Sequence, residues 1–330
     1  MKFLLDDEQR EFARSLDAML TAADTPAAAR AWAAGDHAPG RSVWGRLADA
    51  GVFALTVPEE YEGMGLHSIE VVVSFIELGR HAVPGPVVET VAAGALLARL
   101  AELGEAAPAK RLLPLLASGE AVTTLVLPEG GPFALDADAA TLRLTATDGE
   151  LRLASGHAPV ERSLDPVRRL ARLGPGELLA SGPAVTEASR CAADWASLAT
   201  AAQALGVGLA LLDRTVAYVK QRTQFGTPIG GFQAVKHRLA DVLIGLEFAR
   251  PLLYGAALTL KTADVAAAKA AASEAAYGAA RAALQLHGAI GYTAEYDLSL
   301  WLTKARALRT AWRSPGECRR LVLSAGHGSG

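Results

Sequence analysis

RTQFGTPIGGFQAVKHRLAD, running from Arg222 to Asp241, is the stretch on which the reading of this sequence turns. A plain connection between two helices explains Gly226 and Pro228, which stop and redirect a chain. It does not explain Arg222, Phe225, Phe232 and Gln233 at their spacings around them. Such a loop suits a dinucleotide: a guanidinium makes paired, charge-assisted bonds to a pyrophosphate, and nearby backbone N–H groups add to them. Arg222 is the natural phosphate ligand. Downstream, QLHGAIGYTAEY spans Gln285 to Tyr296. Alone it reads as a helix that ends on Gly288.

Outward from these segments, 330 residues of which 51% are hydrophobic suit two or three packed subdomains. A net charge of -3 is dispersed along the chain, so the basic footprint that nucleic-acid binding needs is missing. Cys191 and Cys318 lie far apart and outside any C-x-x-C or Cys/His cluster, which argues against a metal site or a disulfide framework and for a cytoplasmic home. The opening MKFLLDDEQREFARSL has acids where a secretory leader needs an unbroken apolar run, and Phe3, Leu5, Phe12 and Leu16 share one helical face. VETVAAGALLARLAEL is broken by charge, so no membrane span is expected.

The texture changes twice. Helical periodicity covers 1–117, an N-terminal α-helical domain. Short alternating runs, TTLVL, ATLRLTA and ELRLAS, separated by turn residues, mark a small middle β-domain over 118–188. Long alanine-rich helical patterns fill 189–330 and suit a bundle whose helix axes approach closely. The fold class is therefore α+β, mostly α.

Arg222-Thr-Gln-Phe-Gly-Thr-Pro-Ile229 with Phe232-Gln233 and Leu239-Ala240-Asp241 resembles the acyl-CoA dehydrogenase motif R-x-Q/T-F-G-x-P-I-x-x-F-Q-x-x-x-x-x-L-A-D. The segment from Gln285 to Tyr296 is similar to that family's Q-x-x-G-G-x-G-Y-x-x-E-Y stretch, and Trp44 to Leu66, then Glu77-Leu-Gly-Arg80, carry the resemblance into the N-terminal half. It implies a helical domain, a middle β-domain and a C-terminal four-helix bundle that binds FAD and forms oligomers. It also implies an acyl-CoA substrate and an electron-transfer flavoprotein as acceptor. By the same resemblance, Arg222 with Gln224, Phe225, Gly226 and Gln233 serves the adenosine-pyrophosphate half of an FAD held by a neighbouring subunit. Gln285, Gly288 and Gly291 would touch the flavin.

The sequence also departs from the family. Dehydrogenation removes the proton α to a thioester carbonyl, and the family supplies a carboxylate for it. One of its two locations reads Leu308-Arg-Thr-Ala-Trp312-Arg313-Ser314-Pro315-Gly316 here; the other, counted back from Gly206-Val-Gly208-Leu209-Ala210, falls on Ala196-Ser197. Neither holds an acid. Asp194 and Glu317 are the weak candidates nearby, with Glu247 a further surface acid. The β-domain is reduced as well: Leu127-Pro128-Glu129-Gly130-Gly131-Pro132 replaces a T-E-P-x-x-G-S-D-like loop.

This pattern resembles the shorter, non-catalytic subunit of heteromeric actinobacterial-type acyl-CoA dehydrogenases. The expectation is a partner subunit in a heterotetramer with a second acyl-CoA dehydrogenase-like chain. The alternatives are a complete homomer with a relocated base and a flavin-free interaction or acyl-binding protein on the same scaffold. No G-x-S-x-G elbow is present. His237 suits a surface or capping role, His287 a helix end or a nucleotide contact, and the final HGSG a flexible tail.

Overall fold

The structure, a computed structural model, describes residues 4–327. Phe3 and all of the HGSG tail after His327 lie outside them. Six helices come first: α1 (Asp7–Thr21), α2 (Thr25–Ala33), α3 (Ala38–Asp49), α4 (Ser68–Arg80), α5 (Val87–Glu102) and α6 (Ala106–Ala117). Asp6 caps α1 reciprocally: its carboxylate accepts from Gln9 N–H at 2.8 Å, and Gln9 Oε1 accepts from Asp6 N–H at 3.1 Å. Two donors that a helix start leaves orphaned are thereby satisfied. Leu16 is buried and Leu5 and Phe12 pack against the core, as the apolar face requires. Thirteen of the 16 residues of α5 are buried, so this helix has no solvent face on which to keep Glu89.

The middle segment holds β1 (Thr123–Val126), β2 (Ala134–Leu135), β3 (Leu142–Thr147), β4 (Glu150–Ala154), β5 (Leu170–Ala171) and β6 (Gly176–Ser181). Four of these form one sheet in the order β1-β3-β4-β6, with β1 parallel to β3 and the other pairs antiparallel. β2 and β5 make a separate two-stranded piece. The alternating runs correspond to β1, β3 and β4. β6, GELLAS, has no β-branched residue and gave no strand signal.

The remainder is helical: α7 (Pro183–Gln221), α8 (Gln233–Thr259), α9 (Thr262–His287), α10 (Leu298–Thr310) and α11 (Pro315–His327). α7 starts at Pro183, inside the stretch read as β-domain, because Pro fits the first helical turn. α7 to α10 form the bundle, and α11 packs on α9. Every residue of α7 from Trp195 to Leu212 is buried, since α4, α5, α8, α9 and α10 surround it. A helix enclosed in this way is apolar all round and shows no stripe.

The crossing of α4 and α7 depends on two glycines. A Cβ on Gly79 would lie 2.1 Å from the Gln203 carbonyl oxygen, and one on Gly206 would lie 1.9 Å from that of Ile76. The two backbones are in direct contact there.

By length and composition, α7 and α8 could each cross a membrane. The apolar window of α7 is entirely buried in protein, whereas that of α8 is 39% buried. Leu243, Ile244, Phe248 and Leu252 stand exposed on α8.

Candidate functional site

The Arg222 segment lies on the surface. β7 (Thr223–Gln224) and β8 (Thr227–Pro228) pair as a hairpin whose two-residue turn is Phe225 and Gly226, at φ 52° and 77°. Two positive φ values define the type I′ turn, which suits Gly but strains Phe. The Arg222 backbone is engaged, donating to Tyr218 O at 2.9 Å and accepting from Ile229 N–H at 2.8 Å. Among the described residues its guanidinium has no partner. Phe225 is 93% exposed, edge-on to Phe232, and Gln224, Gly226 and Gln233 are exposed beside it.

Tyr218 brings the second segment to the same face. Its ring stacks on His287 with centroids 4.2 Å apart, and its hydroxyl donates to the His287 carbonyl at 3.3 Å. Gln285 and Gly288 are exposed; Gly288 ends α9 at φ 62° and ψ -137°, a positive φ outside the helical αL cap. Gly291 is buried, and a Cβ there would lie 3.2 Å from His287 Cβ, so its small size packs the segment on its own helix. His287 is 3% exposed, with Nδ1 bonded to Ala283 O at 2.8 Å, and burial lowers its pKa. It is an interior group, while His237 is exposed.

These features fit the phosphate end of a dinucleotide. The guanidinium is unpaired, and Gly226 and Gly288 have open space where a Cβ would stand, which lets a ligand approach the backbone.

A cavity of about 500 Å³ lies elsewhere, where α5, the β-domain, α9 and α10 meet. None of the eight candidate cofactor residues lines it. Its wall includes Glu89, Phe133, Arg168, Tyr277, Arg309 and Trp312. Glu89 is 3% exposed; its Oε1 accepts from Trp312 Nε1–H at 3.1 Å, and burial raises its pKa.

Trp312 belongs to the turn on which the family's first base location falls. Trp312 and Arg313 both have positive φ, 49° and 79°. Each such residue costs on the order of 1–3 kcal/mol and persists only where its surroundings over-determine it. Here Glu89 holds the indole, Ser197 Oγ donates to Trp312 O at 3.1 Å, and Arg313 donates to Asp194 at 2.6 Å. Lys269, fully buried, donates from Nζ to Ser273 Oγ at 2.8 Å and Leu308 O at 2.9 Å at the end of α10.

Asp194 and Glu317 are both engaged away from the cavity. Asp194 accepts from Arg313 and from Thr262 Oγ1 at 2.7 Å. Glu317 accepts from Ser314 N–H and Oγ, each at 2.7 Å, and these bonds hold its pKa below the usual carboxylate value. Glu247 is exposed and pairs with Arg250 at 2.9 Å. Among the described residues, Asp17, Glu77 and His81 bring potential ligand atoms together, but His81 bonds Asp17 directly at 2.8 Å.

Sequence reasoning missed Glu89, Arg168 and Lys269. The available signal was a lone charge inside an apolar run, VVETVAAGALL for Glu89 and VAAAKAAA for Lys269.

Comparison with known proteins gives matches along nearly the whole chain. Residues 6–120 match the family described as acyl-CoA dehydrogenase, N-terminal domain, and residues 188–312 that described as acyl-CoA dehydrogenase, C-terminal domain. Acyl-CoA dehydrogenase IpdE2 of Mycobacterium tuberculosis is 37% identical over 322 residues, covering 96% of this chain and 97% of the relative. Among solved structures, butyryl-CoA dehydrogenase from Megasphaera elsdenii superposes with a TM-score of 0.81 at 22% identity, over 98% of this chain and 99% of that one. The ChsE4-ChsE5 complex from Mycobacterium tuberculosis does so with a TM-score of 0.78 at 23% identity, over 100% and 99%. At these identities the two structures speak for the fold alone.

Proposed function

The chain belongs to the acyl-CoA dehydrogenase family, and from that premise we propose that it is a subunit of an FAD-dependent enzyme that oxidises an acyl-CoA between its α and β carbons. In this reading it completes FAD binding for a second, dehydrogenase-like chain that supplies the base. The observation that carries it is the exposure of the motif surface: Arg222, Gln224, Phe225 and Gln233 face outward, and the Arg222 guanidinium has no partner among the described residues. A binding loop for this chain's own cavity would line that cavity, and these residues do not. The existence of a solved ChsE4-ChsE5 complex with the same fold is consistent with such a pairing.

Within the assembly, Arg222 would pair with the pyrophosphate, Phe225 would cover the adenosine end, and Gln285 with Gly288 would approach from the second segment. When bound, FAD supplies the hydride acceptor. The acyl-CoA and its proton-abstracting carboxylate would belong to the partner, because neither base location of this chain, the stretch from Leu308 to Gly316 or Ala196-Ser197, holds an acid.

Co-expression with a second dehydrogenase-like chain, followed by a flavin absorbance spectrum of the purified complex, tests this. The expected result is a flavin-loaded heteromer, with flavin retention lowered by about tenfold or more in Arg222→Ala. A stable, active homomer overturns the reading.

A further inference from the structure

Glu89 and Arg168, two of the polar groups in the cavity wall, carry hydrogen-bonding capacity that the fold leaves unused. Glu89 Oε1 takes the Trp312 indole N–H, but Oε2 is buried without a hydrogen-bond partner. Arg168, half-buried on the loop before β5, lines the same space; its charge acts on Glu89 and Asp136, but among the described residues its guanidinium makes no hydrogen bond or ion pair. Leaving a buried carboxyl oxygen unpaired costs roughly 1–3 kcal/mol, and an unpaired charge costs more. The rest of the wall joins apolar residues, Leu125, Phe133 and Leu164 among them, to Ser163, Thr310 and the further guanidiniums of Arg306 and Arg309, the latter over the Tyr277 ring. A cavity of about 500 Å³ is large enough for a small organic molecule.

We propose that this cavity binds an organic carboxylate, whose apolar body lies against Leu125 and Phe133 while Arg168 supplies the opposite charge and Glu89 a hydrogen bond. The donor count supports this choice. Burial raises the pKa of Glu89, against the smaller opposing pull of Arg168 and Lys304, which favours the neutral acid. With Oε1 already accepting, the acid's remaining capacity is an O–H donor at Oε2. A guanidinium and an acid O–H both donate, so the complementary ligand end is an anionic acceptor. A carboxamide would present its own donors to them and leave groups unpaired.

This goes beyond the subunit reading, because the ligand occupies the chain's own cavity, apart from the Arg222 surface. The carboxylate could come as a free acid or as the far end of an acyl-CoA. The shared chemistry is the same in both cases.

The test is calorimetric titration of the full chain with cyclohexanecarboxylate, cyclohexanecarboxamide, adipoyl-CoA and hexanoyl-CoA. Cyclohexanecarboxylate is expected to bind one per chain and the amide about tenfold or more weakly. Arg168→Met should weaken the acid by about tenfold or more. Glu89→Gln, which keeps a donor and an acceptor, should stay within about threefold of the unaltered chain, whereas Glu89→Leu should lose binding. Competition by adipoyl-CoA but not hexanoyl-CoA places the carboxylate on an acyl chain; binding of cyclohexanecarboxylate alone identifies a free acid. Equal affinity for acid and amide, no saturable binding of either acid, an unaffected Arg168→Met, or loss of binding in Glu89→Gln overturns the proposal. Should Arg168→Met fail to fold, the acid and amide affinities of the unaltered chain still decide. Flavin retention by the heteromer is a separate readout, so failure here is distinguishable from failure of the subunit reading.

Discussion

Arg313 donates to Asp194 at 2.6 Å, with only 9% and 13% of their side chains exposed, and so joins the two regions where the family's base would stand. The pair turns a potential proton acceptor into an anchor for the strained turn at Trp312 and Arg313. Arg313→Met leaves a mostly buried carboxylate without its cation, and on the order of 3 kcal/mol of stability should go with it. Asp194→Asn should cost less, because the amide oxygen still accepts from Arg313 while the NH2 that replaces the second oxygen can donate to the Thr262 hydroxyl. Urea unfolding of both variants measures this. If Asp194→Asn instead keeps full stability and loses flavin reduction by many orders of magnitude, Asp194 is the base and the chain is a complete dehydrogenase.

Phe248 is 72% exposed, and Ile244 and Leu252 flank it one turn away on either side of α8. An exposed apolar row of this kind suits a contact surface, and the subunit reading proposed above gives the partner chain as its occupant. Phe248→Asp should leave the fold intact while weakening assembly with the partner chain by about a hundredfold, since an aspartate would be desolvated at the centre of the contact. Analytical ultracentrifugation of co-expressed wild-type and variant chains reads this directly. An unchanged association would remove α8 from the interface.

Gly206 packs where a Cβ would stand 1.9 Å from Ile76 O and 2.9 Å from Arg80 N. Backbone on both sides leaves nothing flexible to yield. Gly206→Ala should therefore cost about 3 kcal/mol or more, at the upper end of overpacking effects. Gly278, on α9, has nothing within 4 Å of a Cβ, and Gly278→Ala should instead gain up to about 1 kcal/mol from helix propensity. Thermal melts of the two variants must move in opposite directions.

That contrast also marks what a sequence can disclose. Gly206 and Gly208 were readable as a spacing, but the contact that requires Gly206 comes from α4, more than a hundred residues earlier in the chain. The Arg222 loop was legible because its residues act locally and outwardly, through a hairpin turn and an exposed guanidinium. Glu89 was not. In VVETVAAGALL it reads as a charge that interrupts an apolar run, and only the fold brings Trp312, 223 positions away, to its carboxyl. β6 escaped notice for the opposite reason: its strand character comes from pairing with β4, not from its own residues.

Lys269 supplies the pH dependence. Its ammonium group is fully buried against Ser273 and the carbonyls that end α10, and burial pushes its pKa down from 10.5 to about 7. In the unfolded chain the group keeps its ordinary value, so the folded state binds this proton more weakly. The stability tied to the neutral amine is fully present above the unfolded pKa and is lost as pH falls toward the folded one, at about 1.4 kcal/mol per pH unit. Lys269→Met abolishes the titration and also removes donors from the α10 carbonyls, a loss that does not vary with pH. The stability of the unaltered chain minus that of Lys269→Met should therefore fall by up to about 3 kcal/mol between pH 9 and pH 7, then level off below. Urea unfolding across that range measures the difference. A difference that stays flat from pH 9 to pH 7 would mean that the buried amine keeps its proton throughout, and that the carbonyls of Leu308 and Arg309 stabilise the charge as well as water does.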